Sequence, residues 1–170
     1  MKPITEHSMS RPAVLFKKIL VAVDGSDSSG RAANVALELA DKLKAELIIF
    51  HAISPPSAVY RSSPPSMGQM APSPPPQDEI DAHYAYARRV AQGIIGPSVS
   101  EAKKRGINVK SETPEGVTSV VETIINHASN DKADLIILGT RGLGGFKKLL
   151  IGSVSSGVMT HATCPVMVVR

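Results

Sequence analysis

Residues 133–154 hold the glycines and polar side chains whose spacing is most suited to chemistry; they read ADLIILGTRGLGGFKKLLIGSV. The apolar run within this stretch, residues 135–138, has the length of a buried strand. A loop with glycine at 139, 142, 144 and 145 follows, and Gly152 and Ser153 begin a helix-like segment. Such loops let backbone N–H groups converge on a phosphate, because glycine permits positive φ and close approach of an anion. With Ser153 as a cap on the positive helix start, the stretch predicts a nucleotide phosphate site.

The loop differs from two common phosphate-binding motifs. It lacks the Gly-Lys-[Ser/Thr] of a Walker A loop, and Lys147 stands where a dinucleotide fingerprint needs its third glycine. Its pattern is instead G-x2-G-x9-G-[ST], formed by Gly139, Gly142, Gly152 and Ser153.

Composition narrows the classes of function. The 170 residues and 42% hydrophobic content suit one domain with a full core. No apolar run reaches membrane-spanning length and the amino terminus has no signal-like apolar segment, so we expect a cytoplasmic protein. Cys164 is the only cysteine, which excludes internal disulfides and Cys-rich zinc sites. A net charge of +4, no Trp, three Tyr and three Phe make nucleic acid a poor partner.

Strand and helix patterns alternate along the chain. Apolar runs predict strands at 18–24, 46–53, 135–138 and 166–170. Residues 107–112 predict a further, weak and polar strand that suits a sheet edge. Helical spacing occupies residues 32–43, 78–105, 117–128 and 153–161, with Asp27 or Ser28 as the first cap. We expect Gly93, Gly96 and Pro97 to kink or interrupt the second helix. Five strands alternating with four helices favour an α/β, Rossmann-like fold whose parallel sheet carries helices on both faces.

Two segments do not fit this alternation of strands and helices. Residues 1–16 are interpreted as a flexible leader, which leaves 17–170 as a single domain. Residues 54–76 hold eight prolines and form a Pro-rich insertion. Its composition predicts polyproline II or disorder, with a lid over the site as the alternative.

The glycine spacing, the VAVDGS end of the first strand and the closing GSV…CPVMVV pattern resemble the universal stress protein family, specifically its ATP-binding branch. The resemblance covers residues 17–170 apart from the insertion. Sheets of this size commonly have strand order 2-1-3-4-5, whereas the resemblance implies 3-2-1-4-5. In the implied order strands 1 and 4 are neighbours at the switch point where ligands bind. Asp24 and Gly139 would then face one crevice.

The family resemblance assigns roles around an adenine nucleotide. Asp24 would accept hydrogen bonds from ribose hydroxyls, as an acid at a strand end does in dinucleotide sites. The backbone of Ala52 would meet the adenine edge. The phosphates would lie against Gly139, Gly142, Gly152, Ser153 and Val154, with Thr140 and Arg141 as further contacts. Mg²⁺ would come only with the phosphates; no protein metal site is predicted, and His51 is interpreted as a packed or hydrogen-bonded residue.

The implied function is binding of ATP, or of AMP or ADP, by a nucleotide-responsive stress factor. No set of residues stands out for hydrolysis, so the chain is interpreted as binding nucleotide, with weak ATPase or self-phosphorylating activity as one alternative. A nucleotide-free, partner-binding dimer is a second alternative, and flavodoxin-like FMN binding is a minor third. The apolar strand 166–170 would lie at a sheet edge, where pairing with a second copy covers it, and the resemblance implies such a homodimer.

Overall fold

The computed structural model describes residues 16–56, 75–142 and 151–170. Its strands are β1 (Lys18–Ala22), β2 (Glu46–Phe50), β3 (Val109–Glu112), β4 (Leu135–Gly139) and β5 (Val166–Val169). Its helices are α1 (Asp27–Leu43), α2 (Gln77–Lys104), α3 (Val120–Asn130) and α4 (Ser153–His161). Strand and helix alternate as predicted. The leader up to residue 15, residues 57–74 of the Pro-rich insertion and loop residues 143–150 lie outside the described part.

The five strands form one parallel sheet of order β3-β2-β1-β4-β5, which confirms the expected fold and strand order. At the centre, Val21 of β1 pairs with Ile49 on one side and Ile137 on the other. These three side chains are fully buried, because helices cover both faces of a parallel sheet. The polar strand β3 lies at one edge, as its sequence predicted. In the described ranges, no helix has the length and apolar character needed to cross a membrane.

Alternate residues of each strand build two separate cores. On one face, α1 and α2 pack against the sheet through side chains such as Ala36, Ile95 and Ala102. On the other face, α3 and α4 contribute Ile124 and Val158. The period of two along each strand sends successive side chains to opposite cores, so a continuous apolar run is needed rather than an alternating one.

The helix caps differ from the predicted ones. Ser26, rather than Asp27 or Ser28, caps α1: its hydroxyl oxygen accepts from the Ser29 N–H at 3.2 Å, which places Asp27 in the first turn. Gly152, rather than Ser153, is the N-cap of α4, and Ser153 is the first helical residue. In both cases the predicted cap lies one or two residues after the true one, because short-range sequence cannot choose between neighbouring residues that can each cap a helix.

Helix α2 continues through Gly93, Gly96 and Pro97, so the predicted interruption does not occur. Proline has no N–H and deprives the Gly93 carbonyl of its intrahelical partner. Gly93 is exposed, and water can satisfy that carbonyl. The buried contacts of Ala91, Ile95 and Ala102 hold the helix on the sheet across this defect.

The amino end of α1 packs directly on the carboxyl end of β4. A Cβ placed on Gly139 would lie 2.6 Å from Ser28 Oγ, 2.7 Å from the Ser28 carbonyl carbon and 2.8 Å from Ser29 N. Two of these atoms are backbone and cannot swing away. Glycine at 139 is therefore required by packing between the helix and the strand.

Substitution Gly139→Ala should lower the free energy of unfolding by about 1–3 kcal/mol, since added volume in a tight contact forces backbone shifts. Urea unfolding measures the change. Gly93→Ala is the matched control: no heavy atom lies within 4 Å of its added Cβ, and alanine in a helix should gain about 0.5–1 kcal/mol. Equal stability of Gly139→Ala and the wild type would contradict this account of the α1–β4 contact.

Candidate functional site

The structure brings Asp24 and Gly142 together, although 118 positions separate them in the sequence. Asp24 follows β1, Gly142 follows β4, and these strands are neighbours in the sheet. A Cβ on Gly142 would lie 2.5 Å from Asp24 Oδ2, so the carboxylate rests against the backbone at this glycine. A side chain at 142 would displace the carboxylate.

Asp24 is held in place by the turn that follows it. Its Oδ1 accepts from the Ser26 N–H at 3.0 Å, and its own N–H donates to Ser29 Oγ at 3.3 Å. The side chain is half-buried. An ionised carboxylate that accepts backbone N–H groups beside a helix start is favourably placed, because these groups carry partial positive charge.

The carbonyl groups of residues 139–141, at and just after the end of β4, all accept hydrogen bonds from the two helix starts. Gly139 O accepts from Ser155 Oγ at 2.7 Å, and Thr140 O accepts from the Gly152 N–H at 2.7 Å. Arg141 O accepts from Ser28 Oγ and from Ser26 Oγ, the latter at 3.1 Å. These carbonyls are thereby partly neutralised, which reduces the negative potential that an incoming anion would meet.

Ser28 makes a two-way contact with Arg141. Its hydroxyl donates to the Arg141 carbonyl and accepts from the Arg141 N–H at 3.3 Å. Ser28 is buried, whereas the Arg141 side chain is exposed. Ser28, one of the two predicted caps of α1, instead holds the start of the glycine loop.

The motif glycines serve close packing rather than unusual backbone angles. Among the described glycines, positive φ occurs at Gly25, Gly106 and Gly116. It does not occur at Gly139, Gly142 or Gly152, so of the two properties that glycine offers, it is the lack of a side chain that these three positions use. An added Cβ on Gly152 would lie 3.3 Å from Thr140 O, where the loop returns to the sheet.

Helix α4 begins beside this backbone. The first N–H groups of a helix have no intrahelical acceptor; here the Gly152 N–H goes to Thr140 O, and the first intrahelical bond runs from Ser156 N to Gly152 O at 2.9 Å. Helical geometry leaves the N–H groups of Ser153 and Val154 without intrahelical acceptors. The buried Thr140 links β5 to this helix, since its N–H donates to Val169 O at 2.8 Å.

Ala52 lies on the other side of β1, two residues after β2. The N–H groups of odd-numbered residues point toward β3: His51 donates to Glu112 O and Ile53 to Pro114 O, both at 2.9 Å. Because main-chain groups alternate sides along a strand, the N–H and C=O of Ala52 point toward β1. Its position corresponds to the predicted one, and its small side chain packs against the α3–α4 core.

A neighbouring cleft, of about 290 Å³, escaped the sequence analysis. It lies between α1 and α2 beside the end of β1, and it is lined largely by small residues, namely Val23, Gly25, Ser26, Ser29, Gly30, Ala33, Gly93, Ile94 and Ser98. None of the predicted site residues lines it. The loop lysines, Lys147 and Lys148, fall outside the described residues.

A second polar cluster joins β3 and α3. Glu112, His127 and Asp131 each place one potential metal-ligand atom within 4.8 Å of the others. The Lys110 ammonium pairs with Glu112 and, at 3.0 Å, with Asp131, and the two carboxylates hold the pKa of Lys110 well above its usual range. The pair of carboxylates already has a cation, so the cluster is an ion-pair network at the sheet edge.

A five-stranded parallel sheet of order β3-β2-β1-β4-β5 with helices on both faces defines a doubly wound α/β domain. Comparison with known proteins makes the class specific, because the model of the universal stress protein family matches residues 15–170. The chain belongs to this family, which confirms the predicted resemblance.

Individual relatives agree with this assignment. The chain is 34% identical over 156 residues to universal stress protein YxiE of Bacillus subtilis, covering 92% of this chain and all of the relative. UspA from Lactobacillus plantarum superimposes with a TM-score of 0.68 at 27% identity, covering 91% of this chain and 98% of that one. A universal stress protein in complex with cAMP superimposes with a TM-score of 0.59 at 25% identity, covering 92% and 98%.

Substitution Ser28→Ala should release the backbone at Arg141. The change removes both of the serine's bonds to that residue, and we expect a loss of about 1–3 kcal/mol in unfolding free energy together with faster amide exchange at Arg141. Urea unfolding and NMR-detected hydrogen exchange measure the two effects. The exposed Ser100→Ala on α2 is the control, expected to stay within about 0.5 kcal/mol of wild type. Unchanged exchange at Arg141 would show that Ser28 does not hold the loop.

Proposed function

We propose that the protein binds an adenine nucleotide in the crevice between the carboxyl ends of β1 and β4. The observation that carries the proposal is the contact of the Asp24 carboxylate with the backbone at Gly142, beside the starts of α1 and α4. A sugar hydroxyl and a phosphate are joined covalently in a nucleotide. A nucleotide site must therefore have a hydrogen-bond acceptor and an anion-binding backbone a few ångströms apart, and in the proposal Asp24 and the backbone at Gly142 take these two roles.

Each part of the nucleotide has a partner in the proposal. Asp24 accepts hydrogen bonds from the ribose hydroxyls, and the main chain of Ala52 meets the adenine edge. The phosphates lie against backbone contributed by five residues: Gly139, Gly142, Gly152, Ser153 and Val154. Arg141 adds positive charge nearby, and Thr140 holds the loop against β5.

Two observations support this arrangement. The carbonyls of residues 139–141 are occupied by donors from the helix starts, which leaves the local electrostatics favourable to an anion. A family member of the same fold, at 25% identity, has been crystallised with cAMP, a nucleotide with the same base and sugar.

ATP is the proposed ligand, with AMP and ADP as shorter occupants of the same site. A loop flanked by two helix starts offers more anion-binding groups than a single phosphate uses. Mg²⁺ would be held by phosphate oxygens and water, its preferred ligands, while the one carboxylate of the site is assigned to the ribose. We propose that the bound nucleotide makes the protein a nucleotide-responsive stress factor, and that it acts in the cytoplasm, where adenine nucleotides are supplied.

Substitution Asp24→Ala should weaken AMP and ATP binding about 10- to 100-fold, the cost of losing one or two hydrogen bonds to a charged acceptor. Isothermal titration calorimetry with each nucleotide, with and without Mg²⁺, measures the change. Asp27→Ala is the matched control: it removes the same charge three residues away, from an exposed position in the first turn of α1.

Three outcomes are informative. Equal losses in both variants would indicate a general charge effect rather than a ribose contact. No binding of adenine nucleotide by the wild type, together with no nucleotide released when the purified protein is denatured and examined by mass spectrometry, would refute the proposal. Tighter binding of GTP than of ATP would refute the assignment of the base.

We further propose that two copies pair through the edge segment 166–170, which contains β5. The N–H groups of Ile136 and Thr140 donate to Pro165 O and Val169 O, at 3.0 and 2.8 Å, so odd-numbered residues of β5 face β4. The main-chain groups of Val166 and Val168 therefore face outward. An unpaired edge of this kind is prone to association unless it is covered.

Substitution Val168→Pro should dissociate this dimer. It removes the outward N–H, and proline is tolerated on an edge strand, so the pairing of β5 with β4 should survive. Analytical ultracentrifugation at micromolar concentration should give a dimer for the wild type and for Val168→Ala, which keeps the N–H, and a monomer for Val168→Pro. A monomeric wild type, or a dimeric proline variant, would contradict the proposed interface.

A further inference from the structure

The ladder between β1 and β2 ends in an unusual way beside the proposed adenine position. Its last bond runs from Val23 N to Phe50 O, at 2.9 Å. In a parallel ladder of this register, the next bond would run from the Ala52 N–H to Val23 O. The structure contains a different bond at that carbonyl: His51 Nδ1 lies 2.8 Å from Val23 O.

The chemistry of this contact fixes the proton. A carbonyl oxygen can only accept, so Nδ1 of His51 must carry a hydrogen and donate. The half-buried ring thus bonds the carbonyl that would accept from the Ala52 N–H in a continued ladder. Within residues 16–56, 75–142 and 151–170, neither the N–H nor the C=O of Ala52 has a hydrogen-bond partner, although the N–H groups of both its neighbours do.

We propose that His51 is a positioning residue: its Nδ1–H takes Val23 O, ends the β1–β2 ladder one bond early, and leaves the Ala52 main chain open to hydrogen-bond a ligand base. This inference rests on the proposed nucleotide site and explains how a strand end can read an adenine edge. For the main chain to recognise the edge of an adenine base, a backbone donor and a backbone acceptor must lie side by side. A continuing ladder would consume the donor, and a histidine side chain prevents this without disturbing the pairing of β2 with β3.

Hydrogen exchange and the imidazole tautomer test the inference in the free protein. In ¹⁵N-labelled wild type without nucleotide, the Ala52 amide should exchange at least tenfold faster than those of His51 and Ile53, which donate to β3. Long-range ¹H–¹⁵N correlation should show a protonated Nδ1 on His51. Saturating AMP should then slow exchange at Ala52 by at least tenfold.

Two variants separate the effect of the hydrogen-bond donor from the effect of the aromatic ring. His51→Phe keeps an aromatic ring without a donor, so the Ala52 N–H should re-pair with Val23 O, become protected in the free protein, and lose about tenfold in AMP affinity. His51→Asn places an amide N–H near the Nδ1 position and should restore both properties. His161→Phe is the control, because His161 Nδ1 makes a similar 2.9 Å contact with Gly157 O on the exposed side of α4.

The base contact can be distinguished from the phosphate contact with inorganic tripolyphosphate, whose affinity should be equal in all four proteins. Protection of Ala52 in the nucleotide-free wild type would overturn the inference, and so would wild-type AMP affinity in a folded His51→Phe. Should the wild type bind no nucleotide, the proposed function fails. Exchange at Ala52 in the free wild type and in His51→Phe would still decide whether His51 ends the ladder.

Discussion

The pairing of β1 with β4 is the constraint on which the proposed site depends. Chain order puts 112 residues between Ala22 and Leu135, yet the register sets Ala22 opposite Leu138. The segments that leave these strands diverge to different helices on opposite faces of the sheet, α1 on one and α4 on the other. A crevice has to open where the chain splits in this way, and both helices start at its rim. The position of the site follows from topology before any side chain is considered.

Hydrogen bonding then determines what kind of ligand the crevice suits. A bare strand end would expose carbonyl oxygens and repel an anion. Here the carbonyls of Gly139, Thr140 and Arg141 accept from serine hydroxyls and from a helix N–H. The same bonds fasten the loop to α1 and α4, so rigidity and electrostatics have one cause. Small residues are needed throughout, because helix starts and loop backbone approach within contact distance of one another.

Much of this arrangement could be predicted from the sequence. Uninterrupted apolar runs predicted four of the five strands, since buried parallel strands need such runs, and helical spacing predicted the helices between the strands. The family resemblance supplied the strand order, which composition alone left open between two solutions. The glycine spacing located the loop. Of the two properties of glycine considered, close approach applies there and positive φ does not. Gly139 and Gly142 are small because Ser28 and Asp24 lie against them, and such contacts between distant segments leave no local pattern.

Caps and side-chain partners were harder to predict for the same reason. The sequence DGSDSS does not distinguish the roles of its three serines. In the folded structure Ser26 caps α1, Ser28 bonds Arg141, and Ser29 accepts from the Asp24 N–H. Helix α2 illustrates the converse. Local rules for Gly96 and Pro97 predicted a kink or an interruption, whereas the apolar contacts of Ile95 and Ala102 with the sheet maintain the helix.

Recognition through main chain sets a more general limit on reading such a site from sequence. The part of the proposed site that would distinguish the base involves the peptide groups of Ala52, and almost any small residue could supply them. The residue that carries the information is its neighbour His51. A histidine near a strand end is normally explained by packing, and only the strand register shows that this one donates to a carbonyl of the ladder. Backbone groups can recognise a ligand only if they are not already hydrogen-bonded within the sheet. In the proposed site, the side chain of His51 keeps the backbone of Ala52 out of the sheet's hydrogen bonding, and so determines specificity.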